Sequence, residues 1–174
     1  MKDPEILEIE FDKIYNTLWP KVYKFIYFRI RNEEEAKELT QEVFKRLYIQ
    51  MEKDINDQKY TKSYIFTAAK HIVYDLWRRK GNKSEESLEE LNQSGFDIEG
   101  KKDMIDERLI LKQALNKLSK DEQDVINLRI LIGYSVEETS KILNKPCGSI
   151  KSLQYRALQK LRKDLSKGGL LNGK

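Results

Sequence analysis

The chain has few of the residues that organise small disulfide-bonded or metal-binding proteins. It contains one cysteine, Cys147, and one histidine among its 174 residues, which excludes an intramolecular disulfide framework and a multi-cysteine zinc site. Eight glycines and three prolines are few for a turn-rich all-β fold and favour helices. No apolar run approaches the roughly 20 residues that cross a bilayer, and the acidic N-terminus lacks the pattern of a signal peptide. We therefore expect a cytoplasmic protein with no metal, no cofactor and no membrane insertion.

The two signs of charge are segregated along the chain. Residues 59–83 carry seven cations and one anion, and residues 141–167 carry eight cations and one anion. Between them, residues 84–107 hold nine acids and two lysines. Two basic blocks on either side of an acidic one indicate two polyanion-binding surfaces on separate modules.

Hydrophobic periodicity predicts four helices in the first module. The first covers residues 5–18, and the second begins at Pro20, because proline is favoured in a first helical turn but not in a helix interior. Asn32 is a candidate cap for the third helix, residues 52–59 are a loop, and the fourth helix covers residues 61–80. The predicted buried stripe of the third helix is Ala36, Leu39, Val43, Leu47 and Met51, and that of the fourth is Ile65, Ala68, Ala69, Ile72 and Leu76.

The second module follows a polar, acidic stretch, residues 82–103, that we interpret as a flexible linker. Helix returns near Met104 through Leu109, Leu111, Leu115 and Leu118. Two Ser-x-x-Glu capping boxes, at Ser119 and Ser135, open the next two helices. Pro146 opens a longer basic helix after a tight turn, and a short helix, a turn and a second helix form a helix-turn-helix. The sequence thus predicts an all-α fold of two small helical domains, residues 1–81 and 104–174, joined by the linker.

Three groups of polar side chains are candidate binding surfaces. The last helix is the second helix of the motif, which reads the major groove of duplex DNA, and Ile150 and Leu158 would anchor it. Its candidate DNA-binding residues are Ser149, Lys151, Ser152, Tyr155 and Arg156. In the fourth helix, cations at Lys70 and Arg78 alternate with aromatic residues such as Tyr74, a pattern that suits single-stranded bases. The third helix carries an exposed polar ridge off its buried stripe: Glu38, Gln41, Glu42 and Lys45.

Three stretches of the chain resemble the extracytoplasmic-function group of bacterial sigma factors, the promoter-recognition subunits of RNA polymerase. Residues 35–44 (EAKELTQEVF) are similar to the region-two helix that grips the polymerase clamp. Residues 64–79 (YIFTAAKHIVYDLWRR) are similar to the helix that reads the proximal promoter element. Residues 118–123 (LSKDEQ), 133–138 (GYSVEE) and 145–152 (KPCGSIKS) are similar to region four.

The resemblance implies a sigma factor that directs promoter recognition and DNA melting. Its implied partners are core RNA polymerase, through the clamp and flap, promoter DNA and an anti-sigma factor. The ridge Glu38, Gln41, Glu42 and Lys45 would contact the clamp, and the last-helix candidates would contact the upstream element. A loop over residues 56–63 would hold an extruded base. The proximal element and melting would involve Tyr60, Lys62, Ser63, Lys70, His71, Tyr74, Arg78 and Arg79.

The chain departs from the family pattern at a few positions. Leu153 stands where the family usually has a cation, so that one upstream contact is expected to be missing, and His71 replaces a frequent asparagine. Thr139 and Ser140 replace a more apolar pair, which predicts a less well anchored short helix. Cys147 occupies a normally aliphatic position, and we interpret it as a small buried hydrophobic residue.

Two other classes of function compete with this interpretation. A stand-alone repressor or activator would use the second module only and would bind duplex DNA tightly without polymerase. An enzyme would rest on His71 and Asp75, four residues apart, with no partner base and no phosphate-binding loop. We therefore predict that the protein is not an enzyme.

Overall fold

The computed structural model describes residues 3–53, 60–81 and 102–171, together with the side chains of these residues except those of 102–106. In these ranges the regular structure is helical, which confirms the predicted all-α class. The chain divides into two compact units. Within the described ranges, the N-terminal unit comprises residues 3–81 together with residues 141–143, and the C-terminal unit comprises residues 102–140 and 144–171. None of the described helices is long and apolar enough to cross a membrane.

Helix α1, Pro4–Ile30, is continuous through Pro20. The predicted break between residues 18 and 20 is therefore wrong. Proline at this position removes a backbone hydrogen bond to the carbonyl of Asn16. The loss is offset because the buried stripe continues across the site, with Leu18 on one side and Val22 on the other, whereas Pro20 itself faces solvent.

Helix α2, Glu33–Lys53, begins where the sequence predicts. The backbone N–H of Glu35 donates to Asn32 Oδ1 at 3.0 Å, which confirms the cap. Four of the five predicted stripe residues are buried, while Leu39 is half-buried and Phe44 joins the core. The helix continues over residues 52–53, so the predicted loop starts too early, and residues 54–59 lie outside the described ranges.

Helix α3, Lys62–Gly81, packs against both preceding helices. Ile65, Ala69 and Ile72 are buried as predicted. The predicted Ala68 and Leu76 are half-buried instead, since Phe66 and Val73 take their places in the core. The ring of Phe66 meets that of Phe25 edge to face at 5.5 Å between centroids.

From residue 102 to residue 171, the described part of the chain forms four helices and one π-helical turn. Their bounds are Lys102–Asn116 for α4, Lys120–Ile126 for α5, Asn127–Leu131 for the π-turn, Val136–Leu143 for α6 and Cys147–Lys167 for α7. Helix α4 begins two residues before the predicted position, while residues 82–101 of the predicted linker lie outside the described ranges. The domain bounds 1–81 and 104–174 stay predictions.

Both predicted capping boxes are present. Ser119 Oγ accepts from the N–H of Glu122 at 3.2 Å, and Glu122 Oε2 accepts from the N–H of Ser119 at 2.9 Å. Ser135 and Glu138 make the same reciprocal pair at 3.0 and 2.9 Å. These boxes fix the start of α5 and α6, and the start of α6 in turn sets the position of the turn before α7.

The C-terminal unit buries some of its leucines and leaves others exposed. Leu115 and Leu118 are buried, but Leu109 and Leu111 are 49% and 43% exposed. In α7 the buried stripe is Ile150, Leu153, Ala157 and Leu161. Leu158 is 42% exposed, so it does not anchor the helix, because the stripe follows the side of α7 that carries Ala157.

Candidate nucleic-acid interface

The turn between α6 and α7 is closed by backbone and side-chain hydrogen bonds. Asn144 ends α6 in the left-handed conformation at φ 51°, and its N–H donates to the carbonyl of Ser140. The Ser140 hydroxyl donates to the carbonyl of Lys145 at 2.5 Å, and the Lys145 N–H donates back to the carbonyl of Ser140 at 3.1 Å. Helix α7 then begins after Pro146. This is the geometry of a helix-turn-helix, whose second helix enters the major groove.

The exposed face of α7 carries all five side chains predicted for the upstream element. These residues are Ser149, Lys151, Ser152, Tyr155 and Arg156, each exposed to solvent. The ring of Tyr155 is 66% exposed although it is large and apolar. A Cβ added to Gly148 would meet no atom within 4 Å. The space in front of the first turn of α7 is therefore open to an approaching backbone.

An open cleft runs along this face. Ser149, Ser152 and Arg156 line it from α7, residues 144–146 line it from the turn, and Asp121 lines it from α5. The cleft brings two cations, two hydroxyls and one carboxylate together in front of α7. It therefore offers donors for phosphate oxygens or base edges.

The structure describes the surroundings of two departures from the family pattern, Leu153 and Cys147. The missing upstream contact expected at Leu153 stays a prediction. Leu153 is only 8% exposed and lines the inner wall of the cleft. Its side chain thus belongs to the core of the unit. Cys147 is exposed, and the prediction that it is buried is wrong, because the stripe of α7 has its first buried residue at Ile150 and the preceding turn extends past the core.

Thr139 and Ser140 act differently in anchoring α6. Thr139 is fully buried, and within the described ranges its hydroxyl has no hydrogen-bond partner. A buried hydroxyl without a partner is unfavourable, in keeping with the weaker anchoring expected from the sequence. Ser140 contributes through the bond to Lys145 described above.

Arg129 holds α7 from behind and was not identified from the sequence. It lies in the π-turn, donates from Nε to Gln154 Oε1 at 2.9 Å, and donates from Nη1 to the carbonyl of Tyr134 at 2.5 Å. Tyr134 is buried, and burial together with the charge of Glu138 raises its pKa to about 12. Neither contact follows from helical periodicity, since Gln154 lies 25 residues away and Tyr134 lies five residues away, beyond the end of the π-turn.

An ion pair between the buried carboxylate of Glu122 and the half-exposed Lys160 links α7 to α5. Lys160 Nζ lies 2.9 Å from both oxygens of Glu122, whose side chain is 4% exposed. Burial by itself would raise the pKa of Glu122, but the hydrogen bonds from Lys160 and Ser119 outweigh it, and the pKa lies below its ordinary value. Glu122 therefore stays ionised and links the capping box to the recognition helix.

The N-terminal unit presents a basic and aromatic surface on α3. His71, Arg78 and Arg79 are exposed, and Lys70 and Tyr74 are half-buried. Lys70 Nζ lies 5.4 Å from the centroid of the Tyr74 ring. Lys62 is exposed and Ser63 half-buried in the first turn of α3. These residues share the pattern of alternating cations and rings that the sequence predicts.

A buried arginine supports this surface. Arg29 is 7% exposed, and its guanidinium lies 4.8 Å from the Trp77 ring and 5.8 Å from the Tyr74 ring. Its Nη2 also donates to the Tyr74 hydroxyl at 3.4 Å. Arg29 orients both rings, a role that its place in α1 does not reveal from sequence.

Two predicted features of the first module take other positions. Tyr60 is buried, 7% exposed, and its hydroxyl donates to the carbonyl of Gln50 at 2.8 Å. Its ring is thus part of the core, and we leave it out of the candidate interface.

The Asp75 carboxylate accepts from Arg78, so the acid on which the enzyme alternative rests is already paired with a cation.

The polar ridge of α2 lies on the surface. Glu38, Gln41 and Lys45 are exposed, and Glu42 is half-buried. Glu42 accepts from Arg46 Nε at 2.7 Å within the same helix. The ridge is a continuous polar strip on a helix whose opposite side is packed in the core.

Two stretches of the chain match known protein families. Residues 14–83 match the family described as sigma-70 region 2, and residues 108–161 match sigma-70 region 4. The chain is 29% identical over 154 residues to the ECF RNA polymerase sigma factor BldN of Streptomyces coelicolor, covering 87% of this chain but 58% of BldN. It is 25% identical over 166 residues to the ECF sigma factor SigX of Bacillus subtilis, covering 91% of this chain and 85% of SigX.

Solved structures share the fold. The sigma factor RpoE, in complex with the anti-sigma factor NepR from Bartonella quintana, aligns with a TM-score of 0.67 at 23% identity, covering 90% of this chain and 96% of RpoE. CnrH, in complex with the cytosolic domain of CnrY, aligns with a TM-score of 0.65 at 16% identity, covering 90% of this chain and 88% of CnrH.

The two regions, in this order, define the chain as a sigma factor, a subunit with which RNA polymerase initiates transcription. The chain belongs to the ECF group of these factors. The resemblance stated from the sequence is therefore confirmed.

Proposed function

We propose that this sigma factor divides promoter recognition between its two units. The face of α7 binds the upstream element as duplex DNA, the basic surface of α3 binds the proximal element as its strands separate, and the ridge of α2 binds core RNA polymerase. The protein acts by binding, without catalysis or a cofactor, in the cytoplasm. The observation that carries the proposal is the presence, in one chain, of a solvent-exposed recognition helix and a solvent-exposed polar ridge on separately packed units.

The case for α7 rests on stiffness and charge. The helix has 21 residues and is held to the rest of its unit by the Arg129–Gln154 and Lys160–Glu122 contacts. A rigid helix can present Ser152 and Arg156 to base edges at a fixed register. Exposed Lys151 adds a phosphate contact that positions the helix.

The case for α3 rests on the rings beside its cations. Tyr74 and Trp77 are oriented by Arg29, and Lys70 and Arg78 flank them in the same helix. An aromatic face can stack on an unpaired base while a neighbouring cation neutralises its phosphate. Unstacking a base costs a few kcal/mol, and such contacts offset that cost for the open strand.

The case for α2 rests on a surface that the fold itself does not need. Glu38 and Gln41 make no contribution to the buried stripe of α2, yet they form a polar strip next to Glu42 and Lys45. A strip of this kind suits a partner with complementary charge and donors. We assign it to the clamp of core RNA polymerase and assign the flap to the C-terminal unit.

An anti-sigma factor is a further proposed partner. The solved structures of RpoE and CnrH contain NepR and the cytosolic domain of CnrY, respectively. The shared fold makes a partner of the same class reasonable for this chain. Co-purification of the chain from its own cells would identify it.

The decisive experiment replaces Glu38, Gln41 and Glu42 together with alanine and measures binding to core polymerase by co-elution. We expect binding to be lost while the helical circular dichroism and the unfolding midpoint stay close to those of the parent. The matched control replaces Glu33, Glu34 and Lys37, which are also exposed on α2, and should retain binding. Retained binding in the first variant would refute the assignment, and tight duplex binding by the chain alone would favour a stand-alone regulator.

A further inference from the structure

A carboxylate sits inside the DNA-facing cleft and is paired with one of its two cations. Asp121 Oδ2 lies 3.1 Å from Lys145 Nζ, and the two side chains are 44% and 31% exposed, respectively. Both residues line the cleft together with Ser149, Ser152 and Arg156. Asp121 therefore occupies a position in front of the recognition helix where an approaching phosphate would meet a negative charge.

The Asp121–Lys145 pair differs from the Glu122–Lys160 pair, which joins α5 to α7. The Glu122 carboxylate is buried and closes a capping box while it pairs with the exposed Lys160, so this carboxylate is part of the folded core. Asp121 lies outside the core, and the capping box is complete without its side chain. Water reaches both members of the Asp121–Lys145 pair, and exposed pairs of this kind are weak.

We propose that Asp121 is a specificity-determining residue that competes with DNA phosphate for Lys145. In the free protein the carboxylate neutralises this cation, so that Lys145 adds little to sequence-independent binding. On a well-matched site, the contacts of α7 to base edges hold the helix in place and Lys145 can exchange its carboxylate partner for a phosphate. The inference rests on the proposed role of α7 and adds the residue that limits binding to mismatched DNA.

The competition has a quantitative signature in salt dependence. Each phosphate neutralised by a protein cation contributes about −0.9 to the slope of log affinity against log salt concentration. A Lys145 paired with Asp121 releases no counterion when DNA binds. In an Asp121→Asn variant the freed lysine should make the slope more negative by about 0.9 and tighten binding to mixed-sequence duplex about two- to fivefold at low salt.

The test is a double-mutant cycle with the full chain and a fluorescein-labelled duplex of mixed sequence. Four proteins are compared by fluorescence anisotropy over a salt series: the parent, Asp121→Asn, Lys145→Met and the double variant. We expect Lys145→Met alone to change the affinity little and to abolish the gain of Asp121→Asn in the double variant. A gain that persists without Lys145, or no gain at all, would overturn the proposal, because the effect of Asp121 would then be a general change in net charge or nothing.

Two further variants separate this inference from the proposed function. Glu33→Gln removes a first-turn acid that pairs with Lys37 in the N-terminal unit, changes the net charge equally, and should leave the slope unchanged. Lys151→Ala with Arg156→Ala should weaken duplex binding if α7 is the DNA-binding face. If the Lys151/Arg156 double variant binds duplex DNA as well as the parent does, the assignment of α7 as the DNA-binding face fails. If it binds weakly while the double-mutant cycle shows no coupling between Asp121 and Lys145, only the proposed competition fails.

Discussion

Leu153→Ala and Leu158→Ala truncate the same side chain in the same helix, yet the structure predicts a large loss of stability for the first and a small one for the second. Leu153 is 8% exposed and lies in the buried stripe of α7, whereas Leu158 is 42% exposed. Truncating a buried leucine costs about 2–5 kcal/mol through lost burial and the cavity left behind. Because Leu153 borders an open cleft, we expect about 2–3 kcal/mol, against less than about 0.5 kcal/mol for Leu158.

The assay is urea unfolding of the full chain, followed by far-ultraviolet circular dichroism, with hydrogen exchange of the α7 amides to localise the change. The Leu153 variant should lower protection throughout α7, and the Leu158 variant should match the parent. A larger loss for Leu158 than for Leu153 would refute the orientation of α7. A Leu153→Arg variant tests the same point differently, since a cation there should destabilise the unit without steepening the salt dependence of DNA binding.

Three other predictions follow from single contacts. Glu122→Gln should lower the free energy of unfolding by about 1–2 kcal/mol. Because the pKa of Glu122 in the folded protein lies below its ordinary 4.5, the stability advantage of the parent should be complete above pH 4.5 and vanish as the pH falls through the pKa of the folded state. Urea unfolding midpoints measured across pH will show this. Pro20→Ala restores a donor inside α1 and should raise stability by about 1–2 kcal/mol, seen as a higher unfolding midpoint. Cys147 is exposed, so a maleimide should label the folded chain, and duplex DNA bound at α7 should slow the labelling.

Local signals in the sequence predicted the parts of the fold that short-range chemistry decides. The Ser119 and Ser135 capping boxes and the Asn32 cap each involve residues three apart, and all three are present. The turn before Pro146 was equally explicit, because proline and a left-handed asparagine restrict the backbone on their own. These features set the helix-turn-helix.

Long-range packing decided the features that the sequence misplaced. Proline chemistry predicted a break at Pro20, but the stripe shared by Leu18 and Val22 carries α1 through it. In α7, leucines at 153 and 158 both fit a helical period, and only the position of α5 and Arg129 selects which of them is buried.

The supporting residues of the candidate site were the hardest to find. Arg29 contacts Tyr74 across 45 positions of sequence, and Arg129 contacts Gln154 across 25. Asp121 reaches Lys145 only because two helices and a turn bring them together. Exposed binding residues follow from charge and spacing, whereas the residues that hold or limit them depend on the tertiary fold.

The most direct test of the central claim is run-off transcription by bacterial core RNA polymerase on genomic fragments of the source organism, with and without this protein. The account predicts discrete transcripts that appear only when the chain is added and that disappear with the alanine variant of the α2 ridge. Transcripts that do not depend on the chain, or a ridge variant as active as the parent, would contradict it.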